Sequence, residues 1–348
     1  MSATSSVAAG APPETAEARQ ARVADGLSRY LGGQWAEAVR IENLVETSAG
    51  ARRGNVLFEA VTGSGKRIAL CVTWLPTLNI ELMKITDEAR LIELAERGGV
   101  PVPHVHFASE DAGWLGGPFF ISDRVDGETV PRRVLRKVAA DGTGERITEA
   151  LGRAFGALHQ IPVAEAPAAL ARPEGPNPAE TALARIAEQM ESLMQPAPVF
   201  DLGLRWLSRQ LPASPARLAV IHGDIRNGNI IVDDQGLKAV LDWEVAKIGD
   251  PMEDLSWPCL RAWRFGEDQR EVGGFGGREA LIRGYRAAAG EFDAHSFHWW
   301  KVLGTLRWGL GLAGQARGHL DGSFSNIVMA ASGRRVAEQE YDLLCLLR

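Results

Sequence analysis

The chain reads as an α+β protein with a small strand-rich lobe and then a larger, mainly helical one. Three observations predict this. Strand-like runs at residues 38–47, 55–62 and 67–75 precede a single helical segment and two more short strands, all before residue 128. From Val130 onward helical periodicity dominates. That helical half is interrupted by two short apolar runs joined by a polar turn. The expected organisation is a disordered tail over residues 1–18, a first lobe over 19–127 and a second over 128–348.

Residues 16–31 carry helical periodicity, and Gly32-Gly33 is the expected stop. The second and third strands are joined at Gly63-Ser64-Gly65-Lys66, a hairpin turn. Leu82, Ile85, Ala89, Ile92 and Ala95 share one helical face, which Gly98-Gly99 terminates. Residues 104–108 and 118–125 complete the strand set. Helices are expected at 147–161, 180–194 and 202–211, with a Pro- and Ala-rich loop at 162–178. The short strands 230–232 and 238–241 flank Asp233-Asp234-Gln235-Gly236, and helices resume near Met252, broken by the Gly-rich turn 273–277.

The 348 residues have a net charge of −6, which gives no reason to expect nucleic acid or an anionic membrane as partner. No apolar run approaches the ~20 residues that span a bilayer. The first 18 residues lack a basic start and an apolar core, so a secretory signal is not expected and the cytoplasm is. Cys71, Cys259 and Cys345 are far apart and odd in number, as expected of reduced, buried thiols.

The most informative stretch runs from His222 to Asp254. An apolar segment, 219–221, leads into His222-Gly223-Asp224-Ile225-Arg226-Asn227-Gly228-Asn229. The hairpin follows, then Leu241-Asp242-Trp243-Glu244 and Gly249-Asp250-Pro251. Phosphoryl transfer to a hydroxyl needs such a set: a carboxylate to take or orient the proton, and oxygens to hold metal on the phosphates. Asp224 is the candidate for the first role. Asn229 and Asp242, brought together by the hairpin, are the candidate Mg²⁺ ligands, a sparse oxygen pair that water and phosphates complete. Singly, each residue has a plainer reading: Asp224 a turn former, Asn229 a cap, Asp242 a strand end, His222 a hydrogen-bonded brace for the loop. Their joint spacing around a strand–turn–strand is what favours chemistry.

This pattern resembles the aminoglycoside phosphotransferase / choline kinase superfamily. The Asp242-Trp243-Glu244 and Gly249-Asp250-Pro251 segments are most similar to the branch related to kinase-like domains fused to acyl-CoA dehydrogenases. The resemblance follows element order over residues 25–345 and is most specific over 220–256. It implies a protein-kinase-like two-lobe fold, ATP as co-substrate and a small-molecule acceptor. It also implies Asp224 as catalytic base, Asn229 and Asp242 as metal ligands, and Asp254 as a structural carboxylate beneath the loop.

Between the first two strands, Gly50, Arg52 and Asn55 lie in a small-residue loop suited to phosphates, though an ordinary turn has the same composition. Gly63-Ser64-Gly65-Lys66 is not a Walker A loop: residue 60 is Ala, Arg67 follows the lysine, and a strand comes next. By resemblance, Glu88 is the glutamate that pairs with a basic residue on the third strand, and backbone near Asp123 and Val125 meets the adenine edge. Yet residues 68–75 contain no Lys or Arg, and Cys71 or Val72 holds that place. Lys66, Arg67, Arg52 or Lys84 could substitute; otherwise the nucleotide binds differently, or the protein is a pseudokinase.

Residues 255–348 carry 12 Lys and Arg against 10 Asp and Glu, which does not suit a polycationic acceptor. Five tryptophans, Trp257, Trp263, Trp299, Trp300 and Trp308, cluster there with Arg261, Arg264 and Arg307. They are either helix-packing core or a surface for an apolar or anionic acceptor. Arg226, Glu244, Trp257 and Arg261 are the candidate acceptor contacts, and a hydroxyacyl-CoA is the acceptor that the branch resemblance suggests.

Overall fold

A computed structural model describes residues 15–47, 53–75, 83–192, 197–288, 291–323 and 326–348. Gly50, Arg52 and most of the expected tail lie outside the described residues. Contacts group the chain into two compact units, 1–86 with 105–124, and 87–104 with 125–348.

The first unit is an antiparallel five-stranded sheet against one helix. The helix is α1 (Ala16–Trp35), and the strands are β1 (Val39–Glu46), β2 (Gly54–Thr62), β3 (Arg67–Trp74), β4 (Val105–Ser109) and β5 (Phe119–Asp123), ordered β1-β2-β3-β5-β4. Val23, Leu27 and Leu31 of α1 pack with Val56, Phe58, Leu70, Val72 and Trp74. Strand alternation therefore turns Ala69, Cys71 and Thr73 to the other face of the sheet. Two sequence expectations are corrected here. The helix starts within the expected tail, where Thr15 accepts the N–H of Ala18 as a cap. It also runs past Gly32-Gly33, because Trp35 still packs on the core, and ends at Ala36 in the left-handed region (φ 54°).

Helix α2 (Ile85–Arg97) groups with the second unit from Asp87 onward. The segment after it is tied there: Val240 N–H donates to the carbonyl of Pro101 at 2.8 Å. The second unit continues through α3 (Pro131–Asp141), α4 (Gly144–Gln160), α5 (Pro178–Glu191) and α6 (Pro198–Arg209). Four short strands follow, β6 (Ala219–Ile221), β7 (Ile230–Val232), β8 (Leu237–Val240) and β9 (Lys247–Gly249), and then α7 (Pro251–Ser256), α8 (Arg278–Ala288), α9 (Ala294–Leu320), α10 (Ile327–Ser332) and α11 (Val336–Leu346). β7 and β8 form the expected hairpin, with Ile230 opposite Val240. β6 pairs with β9, a strand the sequence did not announce. Of the thiols, Cys259 is buried, Cys71 partly so and Cys345 exposed, since Cys345 sits in the outward last turn of α11.

α4 and α8 approach too closely for side chains at the crossing. A Cβ at Gly152 would strike the carbonyl of Leu281, and one at Gly284 the carbonyl of Glu149. Backbone carbonyls cannot step aside as a flexible side chain can. Gly284→Val should therefore destabilise the protein by about 1–3 kcal/mol, the usual cost of overpacking. Urea unfolding checks this, and a variant as stable as the parent would show that the helices part freely.

Candidate active site

β6 is wholly buried and delivers the chain to His222. The loop that follows reverses twice, with Gly223 at φ 82° and Gly228 at φ 114°, both in the left-handed region. Asp254, in α7 and fully buried, holds the start of the loop. Its Oδ2 accepts the N–H of His222 and its Oδ1 that of Gly223, each at 2.7 Å. His159 Nε2, from α4, lies 3.2 Å from Oδ2, and Tyr285 OH lies 3.2 Å from the other ring nitrogen. Burial pushes the Asp254 carboxyl up, but the hydrogen bonds it accepts, that of His159 foremost, outweigh it and hold it below the usual carboxylate range.

His222 is a brace. Its Nδ1 accepts the N–H of Asp224 at 3.2 Å, so its Nε2 carries the proton and donates to the carbonyl of Leu241 at 3.1 Å. The ring packs on Trp243 with centroids 4.6 Å apart. Burial lowers its pKa, which keeps the imidazole neutral, as that pattern requires. One ring thus joins the loop before Asp224 to the strand end before Asp242.

Asp224 is held from three sides. Asn229 Nδ2 donates to its Oδ2 at 2.7 Å and to its carbonyl at 2.9 Å. Trp257 Nε1 donates to Oδ1 at 2.7 Å, and Arg226 Nε reaches the same oxygen at 3.2 Å. With Nδ2 so engaged, Oδ1 is the oxygen that Asn229 offers to a cation. The N–H of Leu241 donates to the carbonyl of Asn229 at 2.9 Å, tying the two strand ends together. Asp242 follows in the left-handed region (φ 67°), an uncommon setting for a side chain other than Gly. A carboxylate and an amide oxygen fit a hard cation whose remaining ligands are water and phosphate.

The sequence profile of the phosphotransferase enzyme family (APH) matches residues 75–292. The chain belongs to the phosphotransferase enzyme family. Members are small-molecule, kinase-type phosphotransferases, and the two-part α+β architecture is the protein-kinase-like fold of this family. Among curated relatives, mouse acyl-CoA dehydrogenase family member 10 is 25% identical over 182 residues, 51% of this chain and 16% of that protein. Chicken acyl-CoA dehydrogenase family member 11 is 26% identical over 179 residues, 50% of this chain and 22% of the relative. The match thus spans only about a fifth of those longer proteins. Among solved structures, a candidate aminoglycoside phosphotransferase from Ralstonia eutropha JMP134 shares the fold with TM-score 0.71 at 20% identity, covering 92% of this chain and 97% of that one. A thermostable mutant of aminoglycoside phosphotransferase APH(4)-Ia, in ternary complex with AMP-PNP and hygromycin B, has TM-score 0.60 at 14% identity, covering 93% and 98%.

The structure brings His222, Asp224, Arg226, Asn229, Asp254 and Trp257 of this phosphotransferase into one hydrogen-bonded group, with Asp242 at its edge. Arg226 also stacks over Trp263 at 4.7 Å. Arg261 is engaged elsewhere, by Asp268 at 2.6 Å and Asp342 at 3.0 Å. Glu244 is half-buried just after Trp243, and Glu88 is buried at 1% exposure. In the first unit, Asn55 accepts a hydrogen bond from Thr73 at 2.7 Å, and Asp123 lies 2.7 Å from His106 Nε2. Val125 is half-buried. On β3 the face settles the open choice: Val72 lies in the core, so Cys71 is the residue on the opposite face. Arg67 is committed to Glu42 and Glu59, while Lys66 and Lys84 are exposed. Trp299 and Trp300 are core, donating to Leu207 and Asp250, whereas Trp257, Trp263 and Trp308 form a cluster beside Asp224.

Sequence reasoning missed His159 and the true contact of Trp257. The only signal for His159 was a histidine on the apolar helix face that carries Phe155 and Leu158, where burial demands a partner. His222 offers a stability test. Its folded pKa lies below 6.5, so on acidification the unfolded chain takes up a proton the folded one refuses. Stability should therefore fall as pH drops below about 6.5. His222→Gln, which keeps a donor to Leu241 but cannot titrate, should flatten that slope in urea unfolding between pH 7 and 5; an unaltered slope would assign it to other groups.

Proposed function

We propose that this phosphotransferase moves the γ-phosphate of ATP, with Mg²⁺, to a hydroxyl of a small molecule. The observation that carries the reading is the grip on Asp224: one carboxylate fixed by Asn229, Trp257 and Arg226, next to the Asn229 and Asp242 oxygens. In this reading Asp224 orients the acceptor hydroxyl and receives its proton as the O–P bond forms. The indole N–H and guanidinium on Oδ1 leave Oδ2 and its Asn229 contact to face the hydroxyl, and they stop the carboxylate from rotating away. Asn229 Oδ1 and Asp242 would hold Mg²⁺, which when bound neutralises charge on the phosphates. AMP-PNP and hygromycin B in the APH(4)-Ia complex support a nucleotide plus a small hydroxylated acceptor. The acyl-CoA dehydrogenase relatives support a hydroxyacyl-CoA or related metabolite over an aminoglycoside, macrolide or amino alcohol. So does the cationic surround of Trp257 and Trp263, where Arg226 and Arg307 stack on the rings.

A second reading, nucleotide binding without turnover, rests on one observation. Cys71 stands where a basic residue is expected, and burial pushes its thiol up to about 11, so it carries no charge at neutral pH. Phosphate transfer to a panel of hydroxy acids, hydroxyacyl-CoAs, amino alcohols, sugars and macrolides decides between the two. Asp224→Ala should lower turnover by about 10³-fold or more with the fold intact, in line with general-base and positioning losses. Asp242→Ala should abolish Mg-dependent turnover, including slow ATP hydrolysis. Full activity in either variant would remove the reading, and absence of transfer or hydrolysis in the parent would favour the second.

Trp257→Phe separates orientation from packing. The ring remains but the N–H to Asp224 is lost, and kcat should fall about tenfold with the nucleotide KM unmoved, the effect of one charge-assisted hydrogen bond. Equal kcat in parent and variant would show that the contact does not position the base.

A further inference from the structure

Away from the reacting groups, the second unit holds a cavity of about 230 Å³ walled by α5, β9, α9 and the chain before α5. Four cationic side chains line it, Arg172, Arg185, Lys247 and Arg307, against a single carboxylate, Glu253. Glu253 is buried and paired with Lys247 Nζ at 2.8 Å and Arg307 Nη1 at 2.7 Å. Burial pushes that carboxyl up, but the two cations prevail and keep it ionised. Lys247 and Arg307 are thus accounted for. Arg172 and Arg185 are surplus. Arg185 has Glu174 at 3.5 Å, but Glu174 is 81% exposed, and such a pair is worth little in water. Arg172 forms no ion pair among the described residues. The one buried carboxylate is shared by Lys247 and Arg307, which leaves Arg172 and Arg185 lining the cavity with no buried counter-charge among the described residues.

We propose that this cavity is an anion site that takes a phosphate- or carboxylate-bearing group of a small molecule. The volume suits one such group rather than a whole drug-sized ligand, which needs about 300–1,000 Å³. Guanidinium forks match both oxyanions, binding two oxygens at once. The site is mechanically joined to the loop of Asp224. Arg307 spans from Glu253 to the ring of Trp257, 4.4 Å from its centroid, and Trp257 donates to Asp224. Lys247 lies opposite Ile221 in the β6–β9 ladder, one residue before His222. An anion that draws Arg307 and Lys247 inward therefore acts on the residues that hold the base. The anion has two sources, the acidic end of the acceptor itself or a separate small anion. The first of these rests on the proposed phosphotransfer at Asp224.

The test titrates inorganic phosphate into the full chain without magnesium or nucleotide, read by calorimetry and by tryptophan fluorescence. Saturable binding is expected, weakened at least tenfold in the Arg172→Ala/Arg185→Ala double variant and retained in Asp224→Ala. Both arginines are exposed, so their loss spares the fold. Absence of saturable binding, or equal affinity in the double variant, overturns the site. Asp224→Ala leaves the cavity intact, so the anion site and the catalytic reading fail separately. Kinetics on the active enzyme then assign the source. Phosphate competing with the acceptor, together with a tenfold rise in acceptor KM in the double variant, identifies the acceptor's acidic end. A phosphate effect on kcat with acceptor KM unmoved identifies a separate anion.

Discussion

The site depends on a buried carboxylate that does no chemistry. Asp254 has no exposed surface, and removing such a charge from water costs several kcal/mol. It is tolerated because its two oxygens collect the N–H groups of His222 and Gly223 and the imidazole of His159. The benefit is geometric. Two consecutive backbone amides are fixed to one planar acceptor, so the chain leaves β6 in one direction only. Everything downstream inherits that direction: the His222 ring, the Asp224 N–H that this ring receives, and the Leu241 carbonyl on its far side.

From there the constraint spreads by short-range hydrogen bonds rather than by packing. His222 links the Asp224 loop to the β8 end, Asn229 links Asp224 to the β7 start, and Leu241 closes the circuit through the Asn229 carbonyl. Each link uses a group that would be costly to leave buried and unpaired. The side chains proposed to face reactants are consequently set by their neighbours before any ligand arrives, and orientation of that kind lowers a barrier. Trp257 extends the circuit outward, since the indole that donates to Asp224 also carries Arg307 on its face.

Much of this was legible in the sequence because it is local. The β7–β8 hairpin, the spacing of Asn229 and Asp242, and the strand set of the first unit follow from alternation and turn residues within a few positions of one another. What stayed hidden is non-local or very short. β9 has three residues and exists through its pairing with β6, 26 or more positions earlier in the chain. His159 meets Asp254 across 95 residues, and nothing in an apolar helix names its partner. Trp257 looked like either core or acceptor surface; only its N–H direction makes it a support for Asp224. Gly32-Gly33 read as a helix stop because glycine lowers helix propensity, yet the apolar face continues to Trp35 and burial outweighs about 1 kcal/mol per glycine.

If the proposed phosphotransfer holds, the departure on β3 bears on how phosphate charge is met. Cys71 lies opposite Leu57 and Ser122 in the sheet register, on the face turned away from α1. A neutral thiol is a weak donor, and replacing a charge-assisted contact with it forfeits about 1.5–3 kcal/mol, roughly 10–150-fold in affinity. The arginine at the start of the same strand does not compensate, because Glu42 and Glu59 already hold it. On the proposed reading, charge neutralisation therefore falls more heavily on the cation held by Asn229 and Asp242. Nucleotide affinity should accordingly depend steeply on magnesium. Titrating Mg²⁺ at fixed ATP should sharpen binding by more than tenfold in the parent and by much less in Cys71→Lys, which restores a charge to that face. A variant whose magnesium dependence matches the parent would show that position 71 does not face the phosphates.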